Sequence, residues 1–243
     1  MVEPALTGME LAVFALDAQF THDAHGRIVA VNEPDGEPEP APRFFLTRTR
    51  DGIAWRVRYD VPEPIVKRLV ELVASEPVTT DLVSPPVHLD AMLDALHQDR
   101  EAVIGFQGPA YRFPVTMALP VTGEVTRISR GNLQLLRRVV PDLDALDRDF
   151  DVVEPWMAVV QDGVAVATCY SCRISERVAQ ARVDTAPPFR GRGYAPAMVA
   201  AWAREVRATG RVPLYGTTWD NLASQAVARK LGLALFGVSL ALV

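Results

Sequence analysis

Two glycines alternate with two arginines in residues 185–199, which read TAPPFRGRGYAPAMV. Gly191 and Gly193 permit positive φ angles and let a ligand approach the main chain closely. An amphipathic helix is predicted to begin directly afterwards, so successive N–H groups point at one place where the helix dipole favours negative charge. Arg190 and Arg192 add positive charge. The stretch therefore predicts a site for a phosphate-bearing ligand that is held mainly by backbone groups.

Two other phosphate-binding patterns do not fit this stretch. A Walker loop requires the pattern Gly-x-x-x-x-Gly-Lys-Ser/Thr, which is absent from the sequence. A dinucleotide-binding loop requires Gly or Ala five residues after its first glycine, and counting from Gly191 that position is Pro196. An ordinary tight connection between a strand and a helix remains the structural alternative.

The elements around the corner predict how it is positioned. Before it come three strand-like runs, WMAVVQ, VAVATCYSCRI and VAQARVDT; after its helix come the strand VPLYGTTW, the helix NLASQAVARKLG and the strand ALFGVSLALV. Antiparallel strands that lead into a βαβα unit predict an α+β fold with a mixed sheet flanked by helices. In the helix after the corner, one apolar face is predicted, formed by Ala195, Val199, Trp202 and Val206.

The first half of the chain predicts an additional α+β region, in which no group of residues suggests a catalytic or binding site. Thr7 and Glu10 have capping-box spacing at the start of a helix, and Asp51-Gly52 joins two alternating strands as a hairpin. Two helices, EPIVKRLVELVASEP and HLDAMLDALHQD, precede short strands around AVIGFQ and YRFPVTM, while EPDGEPEPAPR is predicted to be a surface loop. We therefore expect an N-terminal α+β region at 1–120, which helps to shape the substrate cleft, and a second domain at 121–243.

Composition excludes several classes of function. The net charge of −5 argues against a dedicated nucleic-acid binder, and no apolar run approaches the roughly 20 residues that span a bilayer. We see no signal peptide and expect a cytoplasmic protein. Cys169 and Cys172 lie in a predicted strand far from the four histidines, so no metal site is predicted and both are expected to be free thiols.

The corner and a second motif together resemble a known family. Arg190-x-x-Gly193-x-Ala195, which follows a strand, is similar to the acyl-CoA signature of the GNAT superfamily of N-acyltransferases. The downstream run WDNLASQAVARKLGL resembles the next motif of that family, with Asn221, Ser224 and Lys230-Leu231-Gly232 in register. The resemblance covers residues 122–243 and implies a GNAT-type mixed sheet flanked by helices, with acetyl-CoA as co-substrate.

The resemblance also implies which residues hold the cofactor. The strand before the corner would separate from the next parallel strand, and the pantetheine arm would pair with exposed backbone in the resulting cleft. N–H groups of the corner would hold the pyrophosphate, and the start of the second helix would contact the arm or cap the helix. The implied residues are Val183, Asp184 and Thr185 for the arm, Arg190, Gly191, Arg192, Gly193, Tyr194 and Ala195 for the pyrophosphate, and Asn221 and Ser224 on the second helix.

The sequence departs from the family at the groups that handle protons. Many members carry a glutamate on the strand before the corner, where this chain has no carboxylate near Ala179 and Gln180. Many also place a tyrosine seven residues after the asparagine of the second motif, and that position is Ala228. The remaining catalytic candidates are Ser224, Tyr170 and Glu154, while Tyr215 and Trp219 are predicted to be packing residues.

Two functions follow as hypotheses. The first is an N-acetyltransferase that moves an acetyl group directly from acetyl-CoA to a primary amine of a small molecule or peptide. Because family members often dimerise, the resemblance is also compatible with a homodimer. The alternative, motivated by the missing acid and base, is a catalytically silent acyl-CoA-binding or sensor module. The sequence does not identify the acceptor, which in this superfamily is bound by variable loops and appended regions.

Overall fold

A computed structural model describes residues 6–33, 40–117, 124–140 and 142–243. Within these ranges the chain forms a two-stranded sheet and a nine-stranded sheet in the order β4-β3-β11-β5-β10-β9-β8-β7-β6. The strands are β1 (Phe20–His22), β2 (Ile28–Val31), β3 (Phe44–Thr49), β4 (Ile53–Val57), β5 (Ile104–Arg112), β6 (Val125–Ile128), β7 (Trp156–Gln161), β8 (Val164–Ile174), β9 (Val178–Thr185), β10 (Val212–Gly216) and β11 (Ala234–Leu242).

Helices cover both faces of the large sheet. The α-helices are α1 (Gly8–Gln19), α2 (Glu63–Ser75), α3 (Leu89–His97), α4 (Leu143–Asp149), α5 (Tyr194–Ala208) and α6 (Leu222–Lys230), with 3₁₀ turns at Arg130–Leu136, Phe150–Val152 and Pro187–Phe189. Because successive side chains of each strand point to opposite faces of the sheet, the core is divided into clusters on the two faces. Helices α5 and α6 pack on one face, where α2 and α3 also lie, and α1 and α4 cover the other. The predicted fold class, a mixed β-sheet flanked by helices, is confirmed.

Strand β5 joins the two halves of the chain into one sheet. It lies between β11 and β10 and pairs antiparallel with both, with Arg112 opposite both Ala234 and Leu214. The other neighbour of β10 is β9, which runs parallel to it. The first half therefore supplies a strand in the middle of the sheet. The predicted boundary between residues 120 and 121 lies outside the described residues, and the division into two domains stays a prediction.

Short sequence motifs in the first half form the capping box and the hairpin that they predict. Thr7 and Glu10 form the capping box, with the Glu10 carboxylate accepting from the Thr7 N–H at 2.8 Å and the Thr7 hydroxyl accepting from the Glu10 N–H at 3.2 Å. Strands β3 and β4 form the hairpin around Asp51-Gly52. These signals depend on neighbouring residues alone, which explains why the sequence predicts them.

One predicted element differs from the structure. The short strands expected around AVIGFQ and YRFPVTM are one strand, β5, that continues through Pro109, whose carbonyl accepts from the Thr217 N–H. Helix α1 ends at Gln19, because Phe20 is extended and begins β1. The predicted surface loop EPDGEPEPAPR includes residues 34–39, which lie outside the described part of the chain.

Within the described ranges, no helix is both long and apolar enough to cross a bilayer.

Gly108 of β5 provides a test of how the first half contacts the rest of the sheet. A Cβ atom at this position would lie 1.9 Å from the Thr217 carbonyl oxygen and 2.7 Å from the Thr218 Cα atom, both backbone atoms just after β10. We expect Gly108→Ala to lower the free energy of unfolding by about 1–3 kcal/mol, the usual cost of overpacking. Chemical denaturation measures this change.

Gly216→Ala is the matched control for that measurement. Gly216 lies in β10, where an added Cβ would meet nothing within 4 Å. We expect its free energy of unfolding to stay close to that of the wild type. Equal stability of the two variants would contradict the close approach of β5 to the segment after β10.

Candidate active site

A cleft opens where β9 and β10 stop pairing. The two strands are paired only from Val178 with Val212 to Gln180 with Leu214. Beyond this point β9 continues beside β8 to Thr185, while the end of β10 pairs with β5. The strands therefore separate, and a cleft of about 630 Å³ forms between their ends, the glycine corner and α6.

The glycine corner has the backbone conformation that its sequence predicts. Gly191 has φ 76° and Gly193 has φ 81°, a left-handed conformation that other residues adopt only with strain. Gly193 is the N-cap of α5 and brings no side chain to accept hydrogen bonds from the first turn. The N–H groups of Tyr194 and Ala195 thus face the helix entrance without a side-chain cap, and the helix dipole adds positive potential there.

Packing fixes the position of this helix N-terminus. Val199, Trp202 and Val206 of α5 are fully buried against the sheet, as predicted. The Trp202 indole donates to the Ser171 hydroxyl at 3.0 Å, and the Gln161 side-chain amide donates to the Tyr194 hydroxyl at 2.5 Å. Because β7 holds α5 at its first residue and β8 holds it near its middle, the position of the helix N-terminus is fixed.

Basic side chains surround the corner without filling it. The Arg190 Nε donates to the Thr185 carbonyl at 3.1 Å, and the Arg192 guanidinium lies 5.0 Å from the centroid of the Phe189 ring. Lys230 also lines the cleft. In the sequence Lys230 stands out only as part of the second motif, and its place in the cleft is seen only in the structure. The cleft is therefore suited to a ligand with several negative charges.

Every residue predicted to bind the cofactor lies along this cleft. The lining includes Val183, Asp184, Thr185, Arg190, Gly191, Arg192, Gly193, Tyr194, Ala195, Asn221 and Ser224. Asn221 is also the N-cap of α6, since its side-chain oxygen accepts from the Ser224 N–H at 3.0 Å. Capping and ligand contact are compatible for this residue, because the cap uses only one of its side-chain atoms.

The hydroxyl group of Ser224 contacts that of Tyr215, a residue that the sequence predicted to have a packing role. The Tyr215 hydroxyl lies 2.7 Å from the Ser224 Oγ atom, and both residues line the cleft. Burial raises the pKa of the Tyr215 phenol to about 12, against a smaller lowering by the hydrogen bond with Ser224. The phenol is therefore protonated at neutral pH. The feature of the sequence that could have identified Tyr215 is its position at the end of the strand that precedes the second motif.

The other two catalytic candidates do not line the cleft. Glu154 lies 3.6 Å from Arg127, which also pairs with Glu205 of α5 at 2.9 Å. Tyr170 stacks on Trp156 with ring centroids 4.1 Å apart, on the face of the sheet opposite α5. Of the three catalytic candidates, the structure thus brings only Ser224 into the cleft. Ala228, at the position where many family members have a tyrosine, is buried. Gln180, near the position of the family's glutamate, donates to the Ala15 carbonyl at 3.3 Å.

Comparisons with known proteins agree with this geometry. The family model described as GNAT acetyltransferase matches residues 156–236, which include β7 to α6, the corner and the cleft. No curated protein matches the chain.

Solved structures to which this chain is similar include the following three. A GCN5-related N-acetyltransferase-like protein from Streptococcus suis 89/1591 is 17% identical, with 83% of this chain and 84% of that chain covered and a TM-score of 0.49. An acetyltransferase of the GNAT family from Colwellia psychrerythraea is 11% identical, with 99% and 98% covered and a TM-score of 0.48. A GCN5-related N-acetyltransferase from Sphaerobacter thermophilus is 14% identical, with 88% and 78% covered and a TM-score of 0.45.

The family model covers the part of the chain on which the predicted resemblance was based, and it does not extend into the first half. The match confirms that resemblance, and residues 156–236 are a GNAT acetyltransferase domain.

Proposed function

We propose that this protein is an N-acetyltransferase that transfers an acetyl group from acetyl-CoA to a primary amine of a small molecule or peptide. The observation that carries the proposal is the cleft between β9 and β10, which ends at the uncapped N-terminus of α5. A strand edge and a helix N-terminus that meet in one cleft match the two chemically distinct parts of CoA, its amide-bearing arm and its pyrophosphate.

The cofactor would use backbone groups along the whole cleft. Beyond Gln180, the edge of β9 that faces β10 has no strand partner, so the main chain at Val183 to Thr185 would pair with the amides of the arm, with the Thr185 carbonyl shared with the Arg190 Nε. The corner from Arg190 to Ala195 would bind the pyrophosphate. This arrangement directs the thioester towards the point where the two strands separate.

Transfer at that point needs one bond to form and one to break. The neutral amine attacks the thioester carbonyl carbon, a C–N bond forms, and the C–S bond breaks as the tetrahedral intermediate collapses. The nitrogen loses one proton and the departing sulfur gains one, so an amide and free CoA leave the site. Direct transfer agrees with the state of Cys172 in the cleft wall, because burial raises the pKa of its thiol to about 11 and keeps it protonated.

Ser224 and Tyr215 are suited to assist the departing sulfur. Ser224 can donate to the sulfur while the Tyr215 phenol donates to Ser224 across their 2.7 Å contact. A phenol with a pKa of about 12 is a weaker acid than a thiol, whose usual pKa is near 8.5. The pair therefore acts by stabilising developing negative charge through hydrogen bonds, and the proton that the sulfur finally takes up balances the one lost by the amine.

One observation favours the alternative of a catalytically silent acyl-CoA-binding module. Buried Ala228 occupies the place where many family members carry a tyrosine acid. CoA would then raise the melting temperature of the protein without release of free thiol from acetyl-CoA over a broad amine panel. Thiol release with any amine, dependent on an intact corner, supports the enzyme instead.

Gly193 tests the pyrophosphate site. Valine in place of Gly193 cannot adopt φ 81° without strain, so the N–H groups of the corner would move out of line. Each hydrogen bond to a charged group contributes about 1.5–3 kcal/mol, and losing two of them weakens CoA binding at least about 100-fold. Isothermal titration calorimetry with CoA measures the effect.

Gly163→Val is the control for backbone strain. Gly163 has φ 72° in the turn between β7 and β8, away from the cleft, and an added Cβ would meet nothing within 4 Å. We expect a similar loss of stability but unchanged CoA affinity. Normal CoA binding by Gly193→Val would rule out the corner as the pyrophosphate site.

Tyr215 tests the hydrogen-bonded pair. We expect Tyr215→Phe to lower kcat about 10- to 100-fold, because the donor behind Ser224 is lost, while the KM for acetyl-CoA stays unchanged. Steady-state assays of thiol release separate the two parameters. Tyr111→Phe is the control, since Tyr111 is directly opposite Tyr215 in β5 but does not line the cleft. Equal kcat values for both variants would show that Tyr215 only packs.

The pH profile provides a further test of the same pair. The acceptor must be neutral, so kcat/KM should rise with pH as the amine loses its proton. Since the pKa of Tyr215 is raised to about 12, its deprotonation should produce no falling limb in the usual assay range. A bell-shaped profile whose falling limb disappears in Tyr215→Phe would contradict the assignment of a raised pKa to this phenol.

A further inference from the structure

A second cavity of about 480 Å³ lies on the opposite face of the sheet, beneath α1. Its walls come mainly from the first half of the chain and from β11, and most of them are apolar. Among the lining residues are Leu16, Phe20, Phe45, Phe106, Phe236 and Ala241. A cavity of this size is within the range of small-molecule binding pockets.

The two cavities meet where β9 and β10 separate. Both are lined by Phe106, Cys172, Ala181, Tyr215 and Gly216. These residues lie on or beside the strands that stop pairing after Gln180 and Leu214, so the gap in the sheet is the passage from one face to the other. A thioester that reaches this gap from the α5 side would present its carbonyl carbon to the second cavity.

The second cavity has little charge to offer a cationic ligand. Among the described residues that line it, Arg173 is the one charged side chain, and it is paired with Glu33 through two contacts, one of them from Nη1 to Oε2 at 2.9 Å. The other polar groups are neutral: Thr47 and Ser239 share a hydroxyl–hydroxyl contact of 2.8 Å, and Gln180 stands near the position of the family's glutamate. A second positive charge on the ligand would therefore be desolvated without an unpaired carboxylate among the described lining residues.

We propose that this cavity binds the body of the acceptor, and that the acceptor is a primary amine on an uncharged, mainly apolar body. The inference rests on the proposed acetyl transfer and specifies its substrate class. An apolar wall around the amine disfavours the ammonium form and so favours the neutral form that attacks the thioester. Because desolvation does this, the absence of a carboxylate near Gln180 is compatible with catalysis.

A homologous series of primary n-alkylamines tests the substrate class. Each added methylene that enters the cavity should raise kcat/KM about four-fold until the cavity is filled. An α,ω-diamine of the same length, which brings a second ammonium group into the cavity, should be at least about ten-fold poorer. A diamine that equals its alkylamine, or a series without length dependence, overturns the proposal.

Filling the cavity tests its location. Ala15 of α1 is half-buried and lines the cavity, so Ala15→Phe should lower kcat/KM for the longer alkylamines at least about ten-fold and leave CoA affinity unchanged. Asp17→Phe is the matched control, because it adds the same side chain to the exposed side of the same helix. Val31→Phe, on the cavity wall in β2, is a second filling variant in case Ala15→Phe does not fold.

Binding of an N-alkylacetamide, the expected product, separates this inference from the proposed enzymatic activity. If calorimetry shows that the N-alkylacetamide binds to the wild type and to Asp17→Phe but not to Ala15→Phe or Val31→Phe, the acceptor cavity is supported. If at the same time no amine gives thiol release, the proposed enzymatic function fails and the assignment of the cavity stands. Thiol release with polar or polycationic amines, without alkylacetamide binding, supports the enzyme and overturns the apolar acceptor.

Discussion

The parting of β9 from β10 is the constraint on which the rest of the site depends. In a continuous sheet, the backbone groups of both strands would satisfy each other. Here only three residue pairs connect them, and over its remaining length β9 pairs with β8 on one edge while its other edge borders a cleft. A polar ligand with its own amides can supply the missing partners, and the cleft is therefore chemically suited to an extended molecule such as the CoA arm.

The separation is produced by competing partners on each side. β9 stays with β8 to its last residue, whereas the end of β10 follows β5, and the segment after β10 is held to β5 by two hydrogen bonds, from the Thr217 N–H to Pro109 and from the Trp219 N–H to Gln107. The glycine corner then places α5 at the mouth of the opening. The geometry of the backbone, rather than any single reactive side chain, concentrates positive potential at the N-terminus of α5, which has no side-chain cap.

The sequence predicted the parts of this arrangement that depend on neighbouring residues. The corner at Gly191 and Gly193, the capping box at Thr7 and Glu10, and the hairpin at Asp51-Gly52 all have local signals, and the resemblance located the GNAT domain. The position of β5 in the sheet depends on pairing between residues more than one hundred positions apart, as between Gly108 and Ser239, and has no local signal. Tyr215 was predicted to be a packing residue for a different reason, because its contact with Ser224, nine residues later, depends on how the intervening turn places α6 against β10.

The central place of β5 has a consequence for how the protein is built. Residues 121–243 on their own would lack both neighbours of β11, β3 and β5, so β11 would have no partner strand and β10 would have an open edge beside the cleft. Unpaired edges of this kind attract other strands and promote aggregation. The first half is therefore an integral part of the sheet in which the cleft forms.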